Sequence, residues 1–174
     1  MAFVVDTHEI PKKRLMKIVK RLNEKQVDLL LLGGDFCYLN DVPEGSISIL
    51  SKIKTTDGIY GVEGNHDNYV SLFTAMEKYS ITPLSDEGRY IKRGFYLAGT
   101  KDYWNRNPDI SQITEVTSGD DFVLLVTHNP DTLISIMMEY CAANKEDFNK
   151  YMKDYIYLYG RSYRNTSLED GVKQ

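Results

Sequence analysis

Side chains able to do metal or acid–base chemistry occur in four short segments, each at the downstream end of an apolar run. The chain has three histidines, and each of them lies in one of these segments. In residues 60–67, a short β-type run is followed by an amide, an imidazole and a carboxylate, from Asn65, His66 and Asp67. A Gly-Asn pair alone is also typical of an ordinary turn. The placement of the histidines favours one shared site. The candidate residues are Asp6, His8, Asp35, Asn65, His66, Asp67 and His128.

The candidate ligands combine carboxylate oxygens, an amide oxygen and imidazole nitrogens. Such a mixed set suits Mn, Fe, Zn or Co better than calcium, which prefers all-oxygen sites. A carboxylate can bridge two divalent ions, and that arrangement activates water and clamps a phosphate. His66 would then be left to protonate the leaving oxygen of a phosphoester, with its ring held by Asp67. The predicted metal ligands are Asp6, His8, Asp35, Asn65 and His128.

The elements that must position these residues alternate between strand and helix. Asp28–Leu32 is apolar after its first residue, which is typical of a strand buried in a parallel sheet, and Ile59–Val62 is the next such run. Helical patterns begin at Pro11 and cover Pro43–Lys54. The β-α-β-α-β alternation predicts an α/β sheet whose active groups gather at the strand carboxyl ends.

Further strand and helix patterns occur before and after this alternation. Asp6 and His8 follow a brief apolar run at Ala2–Val5, and residues two apart on a strand share a face, so we expect both side chains to reach one ion. The other predicted elements are a helix over Tyr69–Tyr79, hairpin strands at Arg89–Ile91 and Phe95–Ala98, a strand over Asp121–Val126, a helix over Thr132–Tyr140 and a strand over Tyr155–Tyr159.

Composition indicates a globular protein. With 174 residues, 42% of them hydrophobic, we expect a single domain over 1–174. Because the net charge is −4, we do not expect nucleic acid to be a partner. The chain has no run long enough for a membrane span and no secretory signal pattern, and its two cysteines suit a reducing compartment, so we expect a cytoplasmic protein. A basic helix face at residues 12–21 is compatible with an anionic membrane surface, although such faces are mostly solvated.

Four motifs resemble those of the calcineurin-like metallophosphoesterases, in the order in which that family carries them. They are Asp6-x-His8, Gly34-Asp35, Gly64-Asn65-His66-Asp67 and Thr127-His128, and the resemblance covers residues 3–138. Residues 61–67 and 128–131 look most like the family's bacterial branch, which includes lipid-sugar pyrophosphatase relatives. It implies a four-layer α/β/β/α sandwich with two metal ions. By that resemblance, Asp6 and His8 hold the first ion, Asp35 bridges, Asn65 and His128 hold the second, and His66 assists catalysis with Asp67.

The family's last motif, Gly-His-x-His, is not present. The segment that falls in its place is Gly160-Arg161-Ser162-Tyr163, so the C-terminal part is expected to be shortened or diverged after residue 141. A guanidinium cannot coordinate a cation, whereas a phenolate can. Arg161 and Tyr163 are thus the candidate substitutes for the missing ligands, and the second ion is the one most affected.

The expected function is hydrolysis of a small-molecule phosphomonoester, phosphodiester or pyrophosphate by water activated at a dinuclear metal site. The alternative is a catalytically impaired member of the fold that acts as a binding or scaffold module. A nuclease is less expected, because phosphate backbones favour clustered Lys and Arg. The sequence does not fix the substrate, the metal or the oligomeric state.

Overall fold

The computed structural model describes residues 1–8, 10–37 and 43–136, together with the backbone of 155–159. Its strands are β1 (Ala2–Val4), β2 (Leu29–Leu32), β3 (Gly58–Gly61), β4 (Thr82–Pro83), β5 (Glu87–Lys92), β6 (Phe95–Gly99), β7 (Phe122–Thr127) and β8 (Tyr155–Tyr159). Its helices are α1 (Lys12–Lys25), α2 (Glu44–Leu50), α3 (Tyr69–Lys78), α4 (Tyr103–Arg106) and α5 (Ser111–Val116), and residues 131–136 are also helical.

The first sheet is parallel throughout, in the order β1-β2-β3-β4. Helices α1, α2 and α3 connect its successive strands, as the sequence alternation predicts. Strand β2 consists of four leucines that are all buried, which explains its continuous apolar pattern. Because β1, β2 and β3 run in the same direction, the loops that follow them emerge at one edge of the sheet.

The second sheet is mixed, in the order β5-β6-β7-β8. Strands β5 and β6 form the predicted antiparallel hairpin, with Gly94 in the turn at a φ of 72°, a conformation that glycine adopts without a steric penalty. Strand β7 pairs in parallel with β6 and with β8, so the predicted strand at Tyr155–Tyr159 is confirmed.

Alternation along the strands builds the expected α/β/β/α layers. Leu30 and Leu32 of β2 pack in one buried cluster with residues of α1, α2 and α3. Leu29 and Leu31 point the other way and pack with residues of β6 and β7, which joins the two sheets. Val123 of β7 belongs to a third cluster, which includes residues of α5 and of the helical segment 131–136. The hydrophobic core therefore lies in three separate layers between four layers of secondary structure.

Some elements carry no clear pattern and were not predicted. Strand β4 is two residues long and contains a proline, and α4 and α5 are both short. The segment 137–154, which includes the end of the helix predicted over Thr132–Tyr140, lies outside the described residues, as do Arg161 and Tyr163. Within the part of the chain that the structure describes, none of the helices has the length and apolar character needed to cross a membrane.

Candidate metal centre

The loops after β1 and β2 are joined by backbone hydrogen bonds at the edge of the first sheet. The N–H of Asp6 donates to the Gly34 carbonyl at 3.1 Å, and the N–H of His8 donates to the Asp35 carbonyl at 3.1 Å. Strand β7 of the second sheet ends just before His128. The segments that the sequence singled out after β1 and β2 are therefore held side by side.

The backbone at this edge is left-handed at three candidate ligands. The φ angles are 51° at Asp6, 27° at His8 and 58° at Asp35, a region that residues with a Cβ rarely adopt. The expectation that Asp6 and His8 share a strand face is wrong, because β1 ends at Val4. Their side chains converge through these turns, and strand alternation plays no part.

Two glycines allow the loops after β2 and β3 to touch. A Cβ on Gly34, whose φ is 92°, would lie 2.5 Å from the backbone nitrogen of Gly64. A Cβ on Gly64 would lie 2.5 Å from the backbone nitrogen of Asp35. Contacts this short do not occur between real atoms, so glycine at both positions is required for the close approach that places Asp35 beside the Asn65 loop.

Asp6, His8 and Asp35 form a group with the composition of a metal site. One ligand atom from each lies within 4.8 Å of the other two. Nε2 of His8 is 3.6 Å from Oδ1 of Asp6 and 3.4 Å from Oδ2 of Asp35. Two carboxylates and one imidazole suit a divalent transition metal. Asp6 and His8 are partly exposed whereas Asp35 is buried, so this group is accessible from solvent.

His128 and Asn65 approach the same carboxylate from another direction. Nε2 of His128 lies 3.5 Å from Oδ2 of Asp35 and 3.2 Å from Oδ1 of Asn65. Nδ1 of His128 donates to the Gly33 carbonyl at 2.8 Å. In neutral His128 this bond leaves the Nε2 lone pair directed at the site, which is the usual orientation of a metal-binding histidine.

The contact between Asp35 and His128 stabilises the charged form of each side chain. Burial raises the pKa of Asp35, but its contacts with His128 and the His66 N–H reverse this effect and hold the pKa below its ordinary value. Burial lowers the pKa of His128, but the Asp35 carboxylate reverses this effect as well and raises the pKa above its ordinary value. These contacts favour the ionised form of Asp35, which is the form in which a carboxylate coordinates metal ions.

Asp67 organises the loops around the site. Its Oδ2 accepts the backbone N–H groups of Asp35 at 2.7 Å and Gly64 at 3.0 Å, and its Oδ1 accepts that of Phe36 at 2.9 Å. Burial raises the pKa of Asp67 against the effect of these hydrogen bonds. The buried carboxylate therefore joins the two glycine loops. The catalytic role of Asp67 in holding the His66 ring stays a prediction.

His66 lies beside the candidate ligands. Its backbone N–H donates to Oδ1 of Asp35 at 2.9 Å, which leaves Oδ2 toward the two histidines. Its ring meets the His8 ring edge-on, with 5.5 Å between the centroids. The imidazole is therefore within reach of a group bound at the Asp6, His8 and Asp35 cluster.

A buried ion pair next to the site was missed in the sequence. Glu63 is 1% exposed, and its Oε2 accepts from Nη1 of Arg106 at 2.8 Å. Its Oε1 accepts the backbone N–H of Asp102 at 3.0 Å, and Nδ2 of Asn105 donates to the Asn65 carbonyl at 3.0 Å. The loop after β6 thereby supports the Asn65 loop. The only sequence signal was the polar residue Glu63 directly after an apolar run.

Comparisons with known proteins agree with this arrangement. The calcineurin-like phosphoesterase family model matches residues 2–160. Two Helicobacter pylori proteins named uncharacterized metallophosphoesterase are 29% and 28% identical over 128 residues, which are 68% of this chain and 34% of each relative. The chain thus aligns with about a third of the length of these relatives.

A more distant relative and a solved structure extend the comparison. The DNA double-strand break repair protein Mre11 of Nanoarchaeum equitans is 30% identical over 111 residues, 56% of this chain and 31% of that protein. One crystal structure superposes with a TM-score of 0.57 over 74% of this chain and 68% of its own, at 11% identity, which shows a shared fold. With a family model that spans almost all of its length, this chain belongs to the calcineurin-like phosphoesterase family.

Proposed function

We propose that this chain is a metal-dependent hydrolase of a small-molecule phosphoester, with a dinuclear metal site. The observation that carries the proposal is the position of the Asp35 carboxylate, whose Oδ2 lies 3.4 Å from Nε2 of His8 and 3.5 Å from Nε2 of His128. A carboxylate between two imidazoles from different sheets is placed to be shared by two cations. Family membership supports the same conclusion.

The donor atoms divide into two sets around Asp35. Asp6 and His8 would hold one divalent ion, and Asn65 and His128 would hold the other. When bound, a pair of divalent ions activates water and stabilises the charge of an in-line displacement at phosphorus. Mn, Fe and Zn all suit these nitrogen and oxygen ligands.

His66 is the proposed proton donor. It is half-buried and follows the candidate ligand Asn65 directly in sequence. Its ring lies against the ring of His8, so a phosphoester at the first ion would be close to it. A protonated imidazole can donate its proton to the leaving alkoxide oxygen of a phosphoester, which is otherwise a poor leaving group.

The test combines metal analysis with hydrolysis. The purified chain is incubated with Mn²⁺, dialysed and analysed for bound metal, and then assayed with p-nitrophenyl phosphate and bis(p-nitrophenyl) phosphate. We expect about two ions per chain and hydrolysis of at least one substrate. His66→Ala should keep metal binding and lower kcat by about 10²-fold or more for an alkyl ester such as glycerol 2-phosphate, whose alkoxide leaving group needs a proton. The p-nitrophenyl esters, whose leaving group is already good, should lose less activity. Asp35→Asn should lower both metal content and kcat.

Asp120→Asn is the matched control for Asp35→Asn, because Asp120 is exposed in the turn before β7. It should keep the metal content and activity of the wild type. Activity that survives both His66→Ala and Asp35→Asn would contradict the proposed mechanism. A chain that takes up no metal would instead support the alternative of a binding or scaffold module on this fold.

A nuclease is the second candidate, since one relative carries the name of a DNA double-strand break repair protein. The net charge of −4 opposes it, because DNA binding depends on lysine and arginine contacts with phosphates. The nuclease would be favoured if double-stranded DNA were cleaved with a higher kcat/KM than small phosphodiesters and if this rate fell steeply with added salt.

A further inference from the structure

A cleft of about 200 Å³ opens directly beside the candidate ligand Asn65. It lies between the loop after β3, the start of α3 and the short helix α4. Cavities of about 150 Å³ accommodate benzene, so this cleft has room for one planar ring system. The residues that determine its chemistry are Glu63, Asn68, Tyr69, Asn105 and Arg106.

One side of the cleft is a fixed stack of two flat groups. The guanidinium carbon of Arg106 lies 3.8 Å from the centroid of the Tyr69 ring. Buried Glu63 holds the guanidinium through its 2.8 Å ion pair, and Phe73 packs edge-on against the Tyr69 ring at 6.2 Å. Tyr69 itself is 43% exposed. Rigid aromatic and guanidinium planes are the usual surfaces on which planar heterocycles stack.

Two side-chain amides on the cleft wall have donor and acceptor capacity that the described residues do not use. Oδ1 of Asn68 accepts the N–H of Ser71 at 3.1 Å, and this bond leaves the amide N–H₂. Nδ2 of Asn105 donates to the Asn65 carbonyl, and this bond leaves the amide oxygen. One donor and one acceptor next to a flat stack can recognise the edge of a heterocycle.

Charge excludes an extended polyanion from this cleft. Three carboxylates line it, from Glu63, Asp67 and Asp102. Arg106 is the single cation among the lining residues, and its charge is already paired with Glu63. The occupant favoured by this wall is therefore planar, polar and uncharged.

We propose that this cleft binds the nucleobase of a nucleoside phosphoester whose phosphorus lies at the metal centre. This inference rests on the proposed function and names the substrate class. A nucleobase has the planarity that the Tyr69 and Arg106 stack requires, and its edge has donors and acceptors for the two amides. The base and the sugar of such a ligand are uncharged, so its only charge is on the phosphate. Asn65 borders both the cleft and the metal centre, so one ligand can reach both.

Binding can be measured separately from hydrolysis through tryptophan fluorescence. The chain has a single tryptophan, Trp104, so its emission reports on one place. It is 57% exposed and lies on α4 next to Asn105. The Mn²⁺-loaded chain is mixed with thymidine 5′-monophosphate or with methyl phosphate in a stopped-flow instrument, and Trp104 emission is read before the ligand is hydrolysed. We expect saturable quenching by the nucleotide and a Kd about tenfold lower than that of methyl phosphate, the latter measured by competition.

Three variants locate the effect. Tyr69→Leu removes the ring and should raise the Kd of the nucleotide about tenfold while the Kd of methyl phosphate changes less than twofold. Tyr69→Phe keeps the ring and should restore binding. Val70→Ala is the matched control, because Val70 is the next residue of α3, is 56% exposed and does not line the cleft. It should bind the nucleotide as the wild type does.

Hydrolysis rates provide a second test of the nucleobase site. The wild type should cleave thymidine 5′-(p-nitrophenyl phosphate) with a kcat/KM about tenfold above that for methyl p-nitrophenyl phosphate, and Tyr69→Leu should bring this ratio close to one. Equal Kd values for nucleotide and methyl phosphate in the wild type, or an unchanged difference in Tyr69→Leu, would overturn the nucleobase site. If neither diester is hydrolysed and p-nitrophenyl phosphate is not hydrolysed either, the proposed function fails, and the Trp104 titration still decides the nucleobase site.

Discussion

Gly34 and Gly64 lie back to back where the loops after β2 and β3 meet. A Cβ on Gly34 would be 2.5 Å from the Gly64 nitrogen and 2.7 Å from the Gly64 Cα. No side chain separates the two loops at this point. Because of this contact, the Asp35 carboxylate reaches the backbone N–H of His66 at 2.9 Å. The arrangement of the candidate metal ligands therefore depends on two residues that carry no functional group.

Gly64→Ala should damage both stability and metal binding. The added Cβ would lie 2.5 Å from the Asp35 nitrogen and would also collide with the Asp35 carboxylate, so the Asp35 loop must move. We expect a loss of about 1–3 kcal/mol in the free energy of unfolding, typical of overpacking, and a lower Mn²⁺ content. Chemical denaturation and metal analysis measure the two effects.

Gly119→Ala is the control for this substitution, since a Cβ there would meet no atom within 4 Å. It should leave unfolding and metal content within error of the wild type. The proposed role of the glycine contact fails if Gly64→Ala and Gly119→Ala behave alike.

Asp67→Asn should also destabilise the chain, through the backbone. The carboxylate accepts N–H groups from Asp35, Phe36 and Gly64, and an amide N–H₂ in place of one oxygen would face at least one of these donors. Leaving a buried donor without an acceptor costs about 1–3 kcal/mol. Urea denaturation of the metal-free chain would show the loss, whereas Asp120→Asn, at an exposed position, should show almost none. Equal stability of the two variants would mean that these hydrogen bonds contribute little.

The sequence predicted the strands other than β4, the long helices and the set of candidate ligands, because these depend on local patterns. The four leucines of β2 and the apolar positions of α1, such as Leu15 and Val19, read directly as buried elements. The sequence did not predict how Asp6 and His8 converge. That convergence depends on left-handed turns, which are held by hydrogen bonds to a loop about 28 residues later in the chain.

The ion pair between Glu63 and Arg106 could not be predicted from the sequence either. The two residues are 43 positions apart, with Glu63 after β3 of the first sheet and Arg106 at the end of α4, which follows β6 of the second, so no periodicity links them. Asp67 is a further example, since its position next to His66 predicts a partner for the imidazole, whereas its oxygens accept backbone N–H groups of the loop after β2. Contacts between loops require the packed sheets to be known first.

Arg106→Met should destabilise the chain in a pH-dependent way. Burial raises the pKa of Glu63 above its ordinary value of 4.5, and Arg106 is one of the contacts that oppose this effect. Without Arg106 the pKa rises further, so the folded state binds more protons than the unfolded state above pH 4.5. Stability then falls as pH rises through this window. At pH 7 we expect a loss of about 3 kcal/mol, because one partner of a buried ion pair is left alone.

Denaturant unfolding at several pH values measures this loss, which should shrink toward pH 4.5 as Glu63 takes up a proton. Arg93→Met is the control, since Arg93 is exposed in the turn between β5 and β6. It should change stability by less than about 0.5 kcal/mol at any pH. A loss that is the same at pH 4.5 and at pH 7 would show that Glu63 is not the group responsible.

Metal binding should raise the thermal stability of the chain, because a ligand that binds only the folded state shifts the unfolding equilibrium. Mn²⁺ at 100 times its Kd contributes about 2.7 kcal/mol, which corresponds to roughly 5–10 °C in Tm for a chain of this size. EDTA should abolish the rise. His8→Ala should remove most of it, because the Nε2 atom that lies 3.4 Å from Asp35 is lost, whereas Asp120→Asn should retain it. Differential scanning calorimetry gives the comparison, and an equal rise in His8→Ala and Asp120→Asn would place the bound metal away from the Asp6, His8 and Asp35 group.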